Sequence, residues 1–359
     1  MDHRLTRLRA ALAERALPAL LVSAPANRRY LSGFSGSYGY LLVTPAEAVL
    51  FTDGRYTLRA SREAPAVSVR QVVNPGRPFP ALLAEAAAEL GLASLAFEAA
   101  HMSVAEHNAL AAALGAGVEL APAEGVVEAL REQKDAEELA TLRRAIAITD
   151  AAFTAVAERL APETTEREAA WMLEVAMRVG GADDVAFPII VAAGPNGAQP
   201  HATPGDEPLG AGRPIVIDMG ARLGGYHADL TRTIVLGEPD ARFGELYALV
   251  REAQARAVAG LRPGLPAHEA DALARDQIAA AGYGEQFGHG LGHGVGLNIH
   301  EGPSLRRSAT GTSAPLRPGM VTSVEPGVYL EGWGGIRIED LVLITEDGCE
   351  VLSRAPKLG

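Results

Sequence analysis

Four acidic residues sit inside the most apolar segments of this chain, in two mirrored pairs, and a fold that buries them has to answer their charge. In PIVIDMGARLGGYHADLTRT (214–233), Asp218 and Asp229 stand either side of a turn at Leu223-Gly224-Gly225. Asp218 lies as far before Leu223 as Asp229 lies after Gly224, which predicts a hairpin in which they face one another on adjacent strands. In VTSVEPGVYLEGWGGIRIED (321–340), Glu325 and Glu339 flank Gly332 in the same way. Ile215, Val216, Ile217, Val324, Ile336 and Ile338 lie beside them and imply burial. An unpaired carboxylate in such surroundings costs several kcal/mol, and two that face each other repel.

A third segment supplies imidazoles. GHGLGHGVGLNIHE (288–301) places His289, His293 and His300, three of the nine histidines, within twelve residues. Its glycines permit close backbone approach. Four carboxylates and one imidazole could hold two divalent cations, four negative charges meeting four positive. Oxygen-rich ligation with one or two histidines suits Mn²⁺, Co²⁺, Fe²⁺ or Zn²⁺. Two such ions can share a hydroxide and polarise a carbonyl. Taken singly, an acid in a strand is more often an edge residue facing solvent, and a glycine-rich histidine segment an ordinary loop. Neither explains two mirrored pairs and a histidine cluster in one region.

Around these segments the pattern divides in two. Up to residue 125, short apolar strands (19–22, 40–43, 48–51, 68–73, 94–98) alternate with helical segments (3–15, 55–63, 80–90, 104–114). That alternation marks an α/β domain. A break at Ala121-Pro122-Ala123-Glu124-Gly125 precedes a helix over 135–160, where Leu139, Leu142, Ile146, Thr149, Phe153 and Val156 recur every three or four residues. Thr165 and Glu168 form a capping box for the next helix. Further helices are expected over 242–261 and 267–281, and strands over 189–193, 214–219, 226–236, 321–330 and 335–344. Two domains are expected, 1–125 and 126–359.

Composition removes other functions. A net charge of −12 and a pI near 5.3 argue against nucleic acid as a partner. Lys134 and Lys357 are the only lysines, no phosphate-binding GxxxxGK[ST] loop exists, and a Schiff-base lysine is disfavoured. Cys349 stands alone, which excludes internal disulfides and thiolate zinc sites and fits a reducing cytoplasm. No apolar run approaches the ~18 residues of a membrane span. The run 17–22 follows Glu14 and is too short for a leader, so it reads as the first strand.

The order Asp218, Asp229, His293, Glu325, Glu339 resembles the pita-bread metallopeptidases, the family of methionine aminopeptidase, prolidase and Xaa-Pro aminopeptidase, with creatinase as a metal-free member. HGLGHGVGLNIHE, VEPGVY and GIRIED are similar to the prolidase and Xaa-Pro aminopeptidase branch. NRRYLSGFSGS and LFTDGRYTLRA resemble its creatinase-like N-terminal domain. The resemblance spans nearly the whole chain. It implies an N-terminal α/β domain, then a catalytic domain with a curved, mainly antiparallel sheet flanked by helices. It implies two divalent ions, manganese first, with cobalt, zinc or iron as alternatives. Asp218 and Asp229 would bind one ion, Asp229 and Glu339 would be shared, and His293 and Glu325 would complete the other sphere.

The resemblance further gives His201 a substrate contact, His300 a hydrogen bond to the scissile carbonyl, His289 a place in the pocket and Arg337 support of the carboxylates. Prolidases carry an arginine soon after the His-Glu pair; here GPSLRR (302–307) offers Arg306 and Arg307, at a different spacing, to read a substrate carboxylate. The implied reaction is attack of a metal-bridging hydroxide on the Xaa-Pro bond, with Glu325 as proton shuttle. Xaa-Pro dipeptidase is the first expectation and Xaa-Pro aminopeptidase on longer peptides the alternative. Methionine aminopeptidase would leave the 120-residue N-terminal part unexplained, and a metal-free creatinase-like or binding protein would leave the ligands unexplained. A cytoplasmic homodimer is implied as well.

Overall fold

Residues 2–357 are described by a computed structural model, in which the chain divides into two units, Met1–Arg131 and Glu132–Gly359. In the first, the alternating apolar segments close into one six-stranded sheet. Its order is Ser68–Val72, Ala48–Asp53, Tyr40–Val43, Leu20–Val22, Ser94–Glu98, Glu119–Ala123. The two central pairings are antiparallel and the outer ones parallel, as are Leu20–Val22 and Ser94–Glu98. Leu21, Leu42, Phe51, Phe79, Leu83 and Phe97 share its core.

Two elements of this unit differ from expectation. Glu119–Ala123 covers part of the expected break, yet it forms an edge strand, where Pro122 is tolerated because one side of an edge needs no N–H donor. A helix at Pro25–Ser32 was not expected: Pro25 at its start and Gly33 past its end are its only local signals, and Ala24 at its N-cap offers no side-chain acceptor. The cap comes from Glu98, whose carboxylate accepts the backbone amides of Ser23 and Ala24 and the Asn27 side-chain amide, each at 2.6 Å. An anion there also complements the helix dipole. Burial pushes the Glu98 carboxyl up.

In the second unit the sheets are antiparallel and flanked by helices. Ala136–Ala157 and Glu166–Val179 both begin with complete capping boxes, at Asp135/Glu138 and Thr165/Glu168. Their apolar faces pack on the sheet formed by Leu230–Val235, Pro214–Met219 and Ile190–Ala193. Ala241–Gly260 and Ala267–Ala280 cover a second sheet, ordered Glu301–Leu305, Gly292–Gly294, Val321–Val324, Asp340–Ile344, Cys349–Val351. No helix of the described residues is long and apolar enough to cross a membrane.

Three strands expected to be continuous are broken. The stretch 226–236 splits into Tyr226–His227 and Leu230–Val235, 321–330 into Val321–Val324 and Gly327–Leu330, and 335–344 into Gly334–Arg337 and Asp340–Ile344. The gaps contain Asp229, Glu325 and Glu339.

Candidate metal centre

Register decides where the four acids meet. Asp218 pairs with Thr231, not with Asp229, and Leu223 with Tyr226. The expectation that the two aspartates face one another is therefore corrected. The turn is the two-residue Gly224-Gly225, with φ of 57° and 84°, the positive pair that a type I′ turn requires. Its centre lies one residue beyond the expected one, which displaces the pairing by two. A two-residue shift keeps a side chain on the same face, so Asp229 still points to the side of Asp218. In the second hairpin, Val324 pairs with Asp340 and Gly327 with Arg337. This sets Glu325 opposite Glu339 in the gap between two ladders. Neither glutamate amide bonds across that gap: Glu325 donates to Leu291 O at 2.8 Å and Glu339 to Thr231 O at 3.1 Å. The second bond ties one hairpin to the other.

The carboxylates of Asp218, Asp229 and Glu339 each bring an oxygen within 4.8 Å of the others. His293 Nε2 lies 3.3 Å from Glu325 Oε1 and 3.6 Å from Asp229 Oδ2. Arg337 organises the far side: Nη2 donates to Asp218 Oδ2 at 2.6 Å, Nε to Thr231 Oγ1 at 3.0 Å and Nη1 to Tyr329 Oη at 2.8 Å. Thr231 Oγ1 then donates to Glu339 Oε2 at 2.7 Å, and Ser323 Oγ to Glu325 Oε1 at 2.9 Å. His289 Nε2 lies 2.9 Å from Tyr329 Oη. Thr231, Tyr329 and Ser323 were not expected at the site. Their roles arise from contacts as distant as 108 residues in sequence, which no local pattern carries.

Two buried oxygens, Asp218 Oδ1 and Glu339 Oε1, have no hydrogen-bond partner. Burial and the neighbouring acids hold Asp229 and Glu339 well above the ordinary carboxylate range. Burial raises Asp218 too, with Arg337 opposing. Burial works against ionisation of both His293 and Glu325, yet their mutual hydrogen bond carries His293 up to about 9 and Glu325 down to about 2. Orphaned oxygens among crowded acids, with an imidazole alongside, fit divalent metal. The strand that carries His293 passes closely because its flanks are glycine. A Cβ at Gly292 would lie 2.0 Å from Ser323 O, and one at Gly294 would lie 1.9 Å from Gly302 O.

The carboxylates and His293 line a cavity of about 510 Å³ that also takes in His201, His289, His300 and Arg337. Phe187, Pro188, Ile190 and Ile299 give it an apolar side. The rings of His300 and His293 are 4.3 Å apart, edge to face. Arg306 lines this cavity. Arg307 does not; it lines an adjoining cavity of about 710 Å³ that shares His289, Gly290 and Arg306 with the first.

A mixed α/β first unit is thus followed by antiparallel sheets that gather five ligand-type side chains, the donor set of a metal-binding site. Residues 140–346 match metallopeptidase family M24, residues 4–133 match the creatinase/prolidase N-terminal domain, and the chain belongs to family M24. It is 35% identical to the Xaa-Pro dipeptidase of Pyrococcus furiosus over 99% of both chains. The solved structure of an Xaa-Pro dipeptidase from Bacillus anthracis matches with a TM-score of 0.94 and 38% identity, over 99% of this chain and 98% of that one. An X-Pro aminopeptidase structure from Thermotoga maritima matches with a TM-score of 0.88 and 37% identity, over 96% and 98%.

Proposed function

We propose that this chain hydrolyses the peptide bond that precedes proline, acting first as an Xaa-Pro dipeptidase. The observation that carries the reading is one cavity with a carboxylate floor, a histidine rim and an apolar side, in a chain similar end to end to Xaa-Pro dipeptidases. Asp218, Asp229, His293, Glu325 and Glu339 would hold two divalent ions, with Asp229 and Glu339 shared; manganese is the first choice and cobalt, zinc or iron the alternatives. When bound, such ions make water nucleophilic near neutral pH and polarise a carbonyl. The chemistry belongs to the second domain, expected over 126–359, and the working assembly is a cytoplasmic homodimer.

The side chains divide the remaining work. His300 donates a hydrogen bond to the scissile carbonyl oxygen as it gains negative charge. Glu325 moves the proton from the attacking water to the leaving imino nitrogen. His201 and His289 hold the substrate, and Arg337 with Tyr329 holds the Asp218 carboxylate in place. The tertiary Xaa-Pro amide has no N–H to offer an extended-strand site, whereas the apolar side of the cavity accepts a pyrrolidine ring. Arg306 would read the free carboxylate of a dipeptide. One observation favours longer peptides as a second reading: past Arg306 the cavity adjoins the larger one lined by Arg307.

A hydrolysis panel tests this. Protein loaded with Mn²⁺, Co²⁺ or Zn²⁺ is offered X-Pro, X-Pro-amide, X-Pro-Y and Met-X peptides. Fastest turnover of X-Pro supports the dipeptidase, with Arg306→Ala raising KM for X-Pro far more than for X-Pro-amide. Faster turnover of X-Pro-Y assigns the aminopeptidase, and cleavage of Met-X alone rejects both. His300→Ala should lower kcat by roughly 10²–10³ with metal content unchanged.

A further inference from the structure

Two of the 32 lysine and arginine residues are lysines, and Lys134 is sealed inside the second unit. Its Nζ lies 2.8 Å from Glu301 Oε1, with the lysine side chain at 0% exposure and the glutamate at 8%. Glu301 directly follows His300. The same carboxylate organises the segment that ends in that histidine. Its Oε2 accepts the Asn298 amide at 3.2 Å, and Gly296 lies so close that a Cβ there would be 2.3 Å from Oε1. Gly296 is anchored from its other side by the His227 amide, which donates to its carbonyl at 2.9 Å. Residues 296–301 thus wrap one buried negative charge.

The lysine that meets this charge is itself fixed. Its amide donates to Gly319 O at 2.8 Å, and Gln133 before it forms a bridge with Met320. Asp135 after it caps the helix Ala136–Ala157. Without it, the Glu301 carboxylate would lose the buried ammonium 2.8 Å away and settle in a new position, which moves the backbone beside His300.

We propose that Lys134 is a positioning residue: through Glu301 it sets where His300 presents its ring to the scissile carbonyl. The inference rests on the role given to His300 above. A displacement of about 1 Å in such a group costs up to roughly 10²-fold in rate.

The test is a double-mutant cycle on full-length, metal-loaded protein with an X-Pro dipeptide. Lys134→Met is expected to lower kcat roughly 10–100-fold, with KM within about threefold and metal content as in the wild type. In a His300→Ala background, Lys134→Met should lower kcat no further, since a residue that acts through His300 has nothing left to act on. An equal fractional loss in both backgrounds, or a loss confined to metal content, overturns the proposal. Should Lys134→Met fail to fold, Lys134→Met/Glu301→Gln removes both charges and leaves no ion stranded. That variant is expected to show the same kcat loss, and wild-type kcat in it overturns the proposal. A His300→Ala variant with wild-type kcat overturns the role of His300 and this inference together.

Discussion

The hairpin that carries Glu325 and Glu339 turns about Gly332, and its acids stand directly opposite each other in the gap between two ladders. The hairpin that carries Asp218 and Asp229 turns about Gly224-Gly225, and its acids are offset by two residues. Both offsets are even, so all four carboxylates remain on the face that forms the site. The consequence differs for charge. Glu339, not Asp218, is the leading acidic neighbour of Asp229, after burial, in raising its carboxyl. The offset hairpin hands one of its acids to the other hairpin, and the joint is closed by Thr231, which touches Glu339 by backbone and side chain. A turn one residue beyond the expected one thus decides which acids crowd each other.

Removing either acid of that pair should disturb the molecule most. Asp229→Ala or Glu339→Ala is expected to abolish activity and release at least one metal while circular dichroism stays native; full activity with two metals bound would reject the assignment. Loosening the joint comes next. Thr231→Val keeps the shape but removes the hydroxyl between Arg337 and Glu339. Metal affinity should fall roughly 10–100-fold by competition with a chelator, as for other groups that orient ligands. Unchanged affinity would show that the backbone bond alone joins the hairpins.

The pH dependence is smaller. Asp229 and Glu339 have raised carboxyls, and a raised acid gives stability that is complete below its unfolded value and lost as pH rises through its folded one. The Tm of metal-free protein should therefore drop as pH climbs above the ordinary carboxylate range. Divalent metal should cancel the drop and release protons, with affinity rising about tenfold per pH unit for each proton released. Calorimetry in buffers of different ionisation enthalpy counts them, and a count of zero means both acids were already charged. The turns themselves give the smallest effect. Gly224→Ala and Gly332→Ala each force a side chain into left-handed backbone, at about 1–2 kcal/mol. Gly224 should be the costlier, because its Cβ would meet Thr141 Cγ2 at 3.1 Å while Gly332 faces open space. Denaturant midpoints read the difference, and a larger loss at Gly332 would contradict it.

Much of this was legible from local pattern. The first two helices of the second unit carry their own caps, so Asp135 and Thr165 announce them, and Ser94–Glu98, Val104–Leu114 and Pro214–Met219 match expectation residue for residue. The candidate ligands stood out because acids are rare in apolar strands. What stayed hidden depends on partners far along the chain. The helix Pro25–Ser32 is capped by Glu98, the ladders break where Glu325 and Glu339 bond to other strands, and Tyr329 reads as an ordinary strand aromatic until Arg337 and His289 are seen against it. Turn position was hidden for a different reason: three consecutive residues at 223–225 allow two centres, and only the φ pair at Gly224 and Gly225 chooses between them.

The scarcity of lysine gives the folded protein an unusual chemical surface. Its positive groups are almost all guanidinium, and its two side-chain amines are both engaged: Lys134 is shut away with Glu301, and Lys357 pairs with Asp340 at 2.8 Å with 30% of its side chain exposed. Apart from the chain's amino terminus, an acylating reagent finds Lys357 slowly and Lys134 not at all while the second unit stays closed. Label on Lys134 would then mark the moments when that unit opens, giving a covalent clock for its unfolding that needs no added probe and no change of sequence.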